Sequence, residues 1–487
     1  MVNVINGQFK DVYAMRNSVM AYQWGAQNGI STRLNLPKTY QPEAELWIGA
    51  HPKAPSEFAQ EMPCNITNLA EYERITEQKL PYLLKYLAVN EPLSIQTHPT
   101  KQQAEHGFAA ENAAGIPIDA PHRNYRDPNP KPELIIALET GFEALCGFRD
   151  VTASAGQMCA YAVHTSVANA TALHGFAGRL KNRGLIETVS WILTESTETA
   201  EEKNTLLLSL QTASASVVAA PDVAPDLAQN ALLLQRLFAQ YDSDPGILVA
   251  ALLQHIKLAP GQALWLKPGT PHSYIGGHGI EIMGPSDNVL RGGLTPKHID
   301  TAELLQTLDF DSSATQIFTP YTVGGMRRFQ PDPDGVHSEP FELVQTLGDC
   351  VLMTATPMCV LVTDGSFTAG SGHSTKPVTA TTGESLLLPA GTVKLEGKGQ
   401  AFIACGQLLH AAPLGSNFFI AADPDICPAG FSEQSSAVCP AGYTSDNASQ
   451  ADYEAAHGKN APYALKTQNE AVETCPVTGD SQTQAQQ

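Results

Sequence analysis

Residues 90–101 read NEPLSIQTHPTK. Leu93 and Ile95 suit a core, whereas Ser94, Gln96 and His98 share the opposite phase and Pro99 halts the run. Side chains at i, i+2 and i+4 of a strand lie on one face. A buried polar row costs free energy unless something satisfies it. Either this row meets solvent and hydrogen-bond partners, or it meets a metal and a substrate. Three further stretches carry chemistry. DPNPKPELIIAL sets Glu133 at the head of an apolar strand, beside Lys131. LKPGTPHSYIGGHGIEIM opens a strand at His272, with Tyr274 on its face and Glu281 on the next strand. SDNVLRGGLTPK gathers Asp287, Arg291 and Lys297 in a glycine-rich segment. With Gln96 and His98 these supply two imidazoles, a carboxylate and an amide oxygen, a donor set that suits Zn²⁺ with one position open.

Taken singly, each residue has a plainer reading. A lone histidine in a strand is more often a hydrogen-bonded structural residue than a ligand, and Glu133 with Lys131 reads as a surface ion pair. Trp24 and Tyr274 suit a core or its rim, and Arg291 suits a structural ion pair. GGHG around His278 reads as a β-turn, and His51 in GAHPK as structural. Spacing alone does not join Gln96 to His272.

The elements that must position these groups fall into blocks. Across 1–150, AELWIGAHP, PLSIQTHP, KPELIIAL and FEALCGF each read as a strand bounded by Pro or Gly. From 151 to 257 the composition turns to Ala, Leu, Gln and Glu, with helical spacing in ALLLQRLFAQY and ILVAALLQHI, and Asp244-Pro245 as a helix start. Within this block TASASVVAAPDVAPD reads as a loop. Strand patterning returns at 258. KPGTPHSYI and, later, PAGTVKLEG place Gly269-Thr270 on Gly391-Thr392, which suggests two related β-barrels, the second with Lys394 where the first has His272. The division is therefore 1–150 and 258–310 for a first β-domain, 151–257 for a helical insertion, 311–420 for a second β-domain without the metal ligand, and 421–487 for a polar extension. CPAGF and CPAGY recur in that extension without zinc-site spacing.

The ordered set QTHP with Lys101, KPE, PH-x-Y and SDNVLR-x-G-x-TPK, together with YQWG and AELWIGAHPK, resembles type I phosphomannose isomerase from about residue 15 to 300. That resemblance implies a mainly β chain of two cupin-like (jelly-roll) β-barrels plus an α-helical insertion, with one zinc held by Gln96, His98, Glu133 and His272. It implies an aldose–ketose isomerase that interconverts D-mannose 6-phosphate and D-fructose 6-phosphate through a cis-enediol, within mannose metabolism and GDP-mannose biosynthesis. The family's active-site residues fall on Trp24, Lys85, Ser94, Lys131, Tyr274, Glu281, Arg291 and Lys297. Arg291 is the expected stabiliser of enediolate charge, Glu281 and Lys131 are the base candidates, and Asp287 assists ring opening. Ser94 with Lys85 is the preferred phosphate cradle, and Arg291 with Lys297 the other. The family commonly has His before the K-P-E lysine, where this chain has Pro130, so any proton transfer assigned to that histidine does not operate here.

Bulk properties limit the alternatives. The chain has 487 residues, 43% of them hydrophobic and 16% charged, and a formal net charge of −20. That charge argues against nucleic acid or an anionic membrane as partner. No apolar stretch approaches a membrane span, and no signal peptide is legible. The nine cysteines are scattered without a C-x-x-C pair, as expected of a cytoplasmic chain. A small sugar phosphate and a monomeric state are the expectation. Two other readings remain: a cupin-type oxygenase with iron, which Gln96 and the Lys/Arg set disfavour, and a metal-binding cupin that takes up a sugar phosphate without turnover.

Overall fold

Alternating apolar residues build two sheets that share one core. The structure is a computed structural model that describes residues 9–413 apart from 312–315, 324, 331–339, 373–375 and 407. The extension at 421–487, with its CPAGF and CPAGY motifs, lies outside the described residues. Among those described, the strands form two antiparallel sheets of eleven strands each and a two-stranded ribbon. In the first sheet the strand His272–Met283 is central, with Leu83–Val89 and Glu133–Ala137 on either side of its second half. In the second, Met358–Ser371 and Gly391–Cys405 pair along most of their length.

Period-two alternation decides which side chains meet. Leu84, Tyr86, Ile280 and Ile282 enter a core shared with Leu343, Leu361, Leu387 and Phe402 of the second sheet. Lys85 and Glu281, which alternate with them, face the opposite way and stand opposite each other in register. The chain termini of the fold interleave. Tyr13–Arg16 pairs with Ser385–Leu388 of the second sheet, and Gln316–Phe318 pairs with Ala263–Leu266 of the first. Segment 1–150 therefore contributes to both sheets.

Between Phe142–Phe148 and Leu253–Leu258, two paired strands of the first sheet, the chain inserts a stack of helices, Val151–Ala162, Val167–Leu193, Thr197–Ala219 and Pro225–Tyr241. The stretch TASASVVA, read as loop, is the end of the helix Thr197–Ala219. Ala213 and Val217 are buried, and the Ser214 hydroxyl donates to the Leu210 carbonyl at 2.7 Å, which satisfies it inside the helix. Only 220–224 connects to the next helix. ILVAALLQHI also departs from its helical expectation. A short helix, Gly246–Ala250, starts where the Asp244 carboxylate accepts from the Gly246 N–H at 2.7 Å. The rest is the strand Leu253–Leu258, paired with Phe142–Phe148. Sheet pairing overrides helical spacing there. Among the described residues no helix is long and apolar enough to cross a membrane.

Candidate metal and sugar-phosphate site

The polar row of the opening stretch is shorter than its spacing suggests. The strand spans only Ile95–Thr97, so Gln96 lies within it while Ser94 precedes it and His98 follows it. Thr100 then caps the helix Lys101–Ala113, its side chain and that of Gln103 bonding reciprocally to the helix start. The T-x-x-Q capping box was present in the sequence and marks a helix that the strand-based reading passed over.

Register brings the distant motifs together. Gln96 pairs with His272 on one side and with Arg291 on the other, so His272, Gln96 and Arg291 form a row across three strands. Glu281 does not lie on a following strand. The strand runs unbroken from His272 to Met283 and changes partners in the middle, from Phe142–Phe148 to Leu83–Val89 and Glu133–Ala137. GGHG is therefore a bend within the strand. Gly277 has φ 110°, and a Cβ there would lie 2.7 Å from the Phe142 Cα, so the bend needs glycine.

At the start of that strand, His98, Glu133 and His272 converge with ligand atoms within 4.8 Å of one another, all three buried. The two Glu133 oxygens lie 3.2 Å from His98 Nε2 and 3.3 Å from His272 Nε2. Each ring's Nδ1 faces a backbone carbonyl: Asn288 at 2.8 Å for His98, Thr270 at 2.9 Å for His272. Nδ1 must donate there, so each Nε2 turns a lone pair inward. His98 Nε2, His272 Nε2 and Glu133 Oε2 have no hydrogen-bond partner. Lone pairs and carboxylate oxygens crowding one buried point demand a cation. Burial, followed by the Lys131 charge, lowers His98 to about 4, so its imidazole is neutral at neutral pH. The three residues fit zinc, and Gln96 pairs with His272 in register.

Around this point the expected substrate groups separate into two clusters. In the first, Lys85 lies 3.0 Å from Glu281 and 3.7 Å from Glu45, with its ammonium over the Trp47 ring. Burial alone would lower Lys85, but Glu281, Glu45 and Glu133 outweigh it and hold its pKa above the ordinary value. The Tyr274 hydroxyl donates to Glu281 at 2.8 Å. Burial raises the Glu281 carboxyl against the pull of Lys85. Lys131 reaches Glu133 at 3.0 Å. Trp24 packs half-buried against the core cluster that holds Tyr274 and stacks on Tyr22 at 6.0 Å.

The second cluster is cationic. Arg291 and Lys297 are joined by Arg126, which sequence reasoning did not single out although it stands in NYRDPN just upstream of K-P-E. Burial and then Arg126 lower Arg291; burial, Arg291 and Arg126 lower Lys297. No ion pair to any of the three is found among the described residues. Asp287 sits apart from them, 2.8 Å from Lys53 and 3.5 Å from His51, whose contacts outweigh burial and hold its carboxyl well below the usual range.

Two antiparallel sheets, a helical insertion and a buried His–Glu–His centre define a metalloprotein. Comparison with known proteins narrows this class. The catalytic-domain model of type I phosphomannose isomerase matches residues 12–151. Mannose-6-phosphate isomerase of Escherichia coli K12 is 37% identical over 318 residues, 62% of this chain and 76% of the relative. The Schizosaccharomyces pombe enzyme is 30% identical over 387 residues, 73% of this chain and 89% of the relative. A crystal structure of mannose 6-phosphate isomerase bound with zinc and yttrium superposes with TM-score 0.69 at 30% identity, covering 82% of this chain and all of that one. A variant of the Salmonella typhimurium enzyme gives 0.70 at 29% identity over the same share of this chain. The chain belongs to the type I phosphomannose isomerase family.

Proposed function

We propose that the chain is a zinc-dependent mannose-6-phosphate isomerase that interconverts D-mannose 6-phosphate and D-fructose 6-phosphate. The observation that carries this reading is the pair of inward Nε2 lone pairs of His98 and His272 facing Glu133. His98, Glu133 and His272, with Gln96, hold the metal. When bound, zinc supplies a Lewis acid for the oxygens at C1 and C2.

The chain's own residues do the rest. Lys85 has its charge taken up by Glu281 and Glu45. It therefore orients the base and is a poor phosphate anchor, a revision of the Ser94–Lys85 cradle. Lys297 and Arg126 take the phosphate dianion through charge-assisted hydrogen bonds, with Ser94 as a hydroxyl donor. Arg291, next to Gln96 in register, stabilises enediolate charge. Glu281, with its raised carboxyl pKa, moves the proton between C2 and C1, and Lys131 is the second candidate. Tyr274 holds Glu281, Asp287 assists ring opening, and Trp24 walls the sugar. We place the action in the cytoplasm, on a monomer.

The test is a coupled assay of fructose 6-phosphate formation on protein as purified, after chelator dialysis, and after zinc is restored. Loss and recovery of turnover is expected. A folded, zinc-loaded chain that binds the sugar phosphate without converting it would sink the isomerase reading in favour of a binding role.

A further inference from the structure

Asn288 is fully buried, and every polar atom of its side chain is committed. Its Oδ1 accepts from the N–H groups of Arg126 at 2.7 Å and Asp127 at 3.2 Å, and its Nδ2 donates to the carbonyls of Asp127 at 2.7 Å and Asn129 at 2.9 Å. Asp127 answers from the other side. Its carboxylate accepts from Asn129 N–H at 2.9 Å, Asp287 N–H at 2.9 Å and the Ser286 hydroxyl at 3.1 Å. The segments 126–129 and 286–288 are thus cross-linked in both directions.

The attachments of this clasp give it a use beyond packing. The Asn288 backbone carbonyl is the group that receives His98 Nδ1–H and so turns the His98 lone pair inward. One residue past the clasp begins Pro130-Lys131-Pro132-Glu133, where two prolines fix φ and stiffen the lead to Lys131 and Glu133. Gly284 lets this segment approach, since a Cβ there would stand 3.1 Å from both the Pro130 carbonyl and the Pro132 ring. Arg126 and Asp287 leave the clasp directly.

We infer that Asn288, with Asp127, is a positioning residue that sets two zinc ligands, His98 and Glu133, against each other. Partners outside the ligand set hold ligand orientation, and losing one typically costs 10–100-fold in metal affinity. The proposal rests on the zinc reading above and is tested without relying on turnover. Zinc affinity of the full chain is measured by competition with a chromophoric chelator for wild type, Asn288→Ala and Asp127→Ala, alongside the melting temperature of each metal-free protein. Zinc affinity is expected to fall at least tenfold in both variants, with kcat falling more than KM rises. A role in folding alone would lower the metal-free melting temperature and leave zinc affinity within twofold of wild type, and that result would overturn the proposal. Should Asn288→Ala fail to fold, Asp127→Ala, at the half-exposed side of the clasp, decides. A wild type that binds zinc but does not isomerise would refute the proposed function and leave this comparison intact.

Discussion

Two lysines of similar expected role have opposite surroundings. Lys85 is buried against Glu281 and Glu45, whereas Lys297 is exposed and its charged neighbours are arginines. Their removal should therefore fail differently. Lys85→Ala leaves the buried Glu281 carboxylate, and the partly buried Glu45, without their counter-charge and is expected to cost about 3–5 kcal/mol in denaturant unfolding, with lost kcat. On the proposed phosphate site, Lys297→Ala and Arg126→Ala each remove a charge-assisted contact worth about 1.5–3 kcal/mol. KM for mannose 6-phosphate should rise about tenfold or more in either, with kcat and folding nearly unchanged. A KM unaffected by both substitutions would move the phosphate elsewhere.

The strand His272–Met283 does at the level of an element what no single residue does. Its first half presents His272 beside Gln96, and its second half presents Glu281 beside Lys85. The change of partners happens at Gly276-Gly277. Gly277→Ala forces a Cβ toward the Phe142 backbone at a φ that L-residues rarely adopt. The loss should be about 2–3 kcal/mol, read as a lower melting temperature, and zinc affinity should fall with it because both halves of the site hang on this bend. The second sheet repeats the device: Gly391 opens the long strand Gly391–Cys405 at φ 104°, and Gly399 bends it at φ 130°. Lys394, aligned in sequence with His272, is exposed there.

Across the whole molecule, the helical insertion docks on the rear of the metal-bearing strand. Arg236 of the helix Pro225–Tyr241 donates to Glu143 at 2.8 Å and to the Ile275 carbonyl at 3.0 Å, and the Tyr241 hydroxyl donates to the Pro92 carbonyl at 2.5 Å. Glu143 also faces Lys257 at 2.9 Å and His255 at 3.7 Å. His255, then Lys257, pull its carboxyl from 4.5 down to about 2 against burial. A carboxyl depressed in the folded state binds its proton more readily when unfolded. Its stabilisation is full above pH 4.5 and is lost as pH falls toward about 2. Stability measured across that window should decline for wild type, and Glu143→Gln should flatten the slope. An unchanged slope would show that this contact does not govern docking.

Much of the site was legible in the chain because ligand chemistry is local. QTHP, KPE and PH-x-Y each carry their own donors, and the glycine and proline punctuation around them marks strand ends. The zinc-compatible donor types, the mainly β pattern and the helical block could be read that way. Misreadings arose where a local pattern suited two structures. TASASVVA is helical because Ala213 and Val217 pack into the helical core while Ser214 satisfies its hydroxyl within its own helix, and LLQHI is a strand because Phe142–Phe148 pairs with it. What only the tertiary structure decided is which charges face each other. Whether Lys85 meets a phosphate or two carboxylates depends on strand register, and register is set by partners far away in sequence. The same holds for Asn288, whose amide is satisfied by a segment roughly 160 residues upstream. Hydrogen bonds and ion pairs act over a few ångströms of space, and sequence order does not encode that distance.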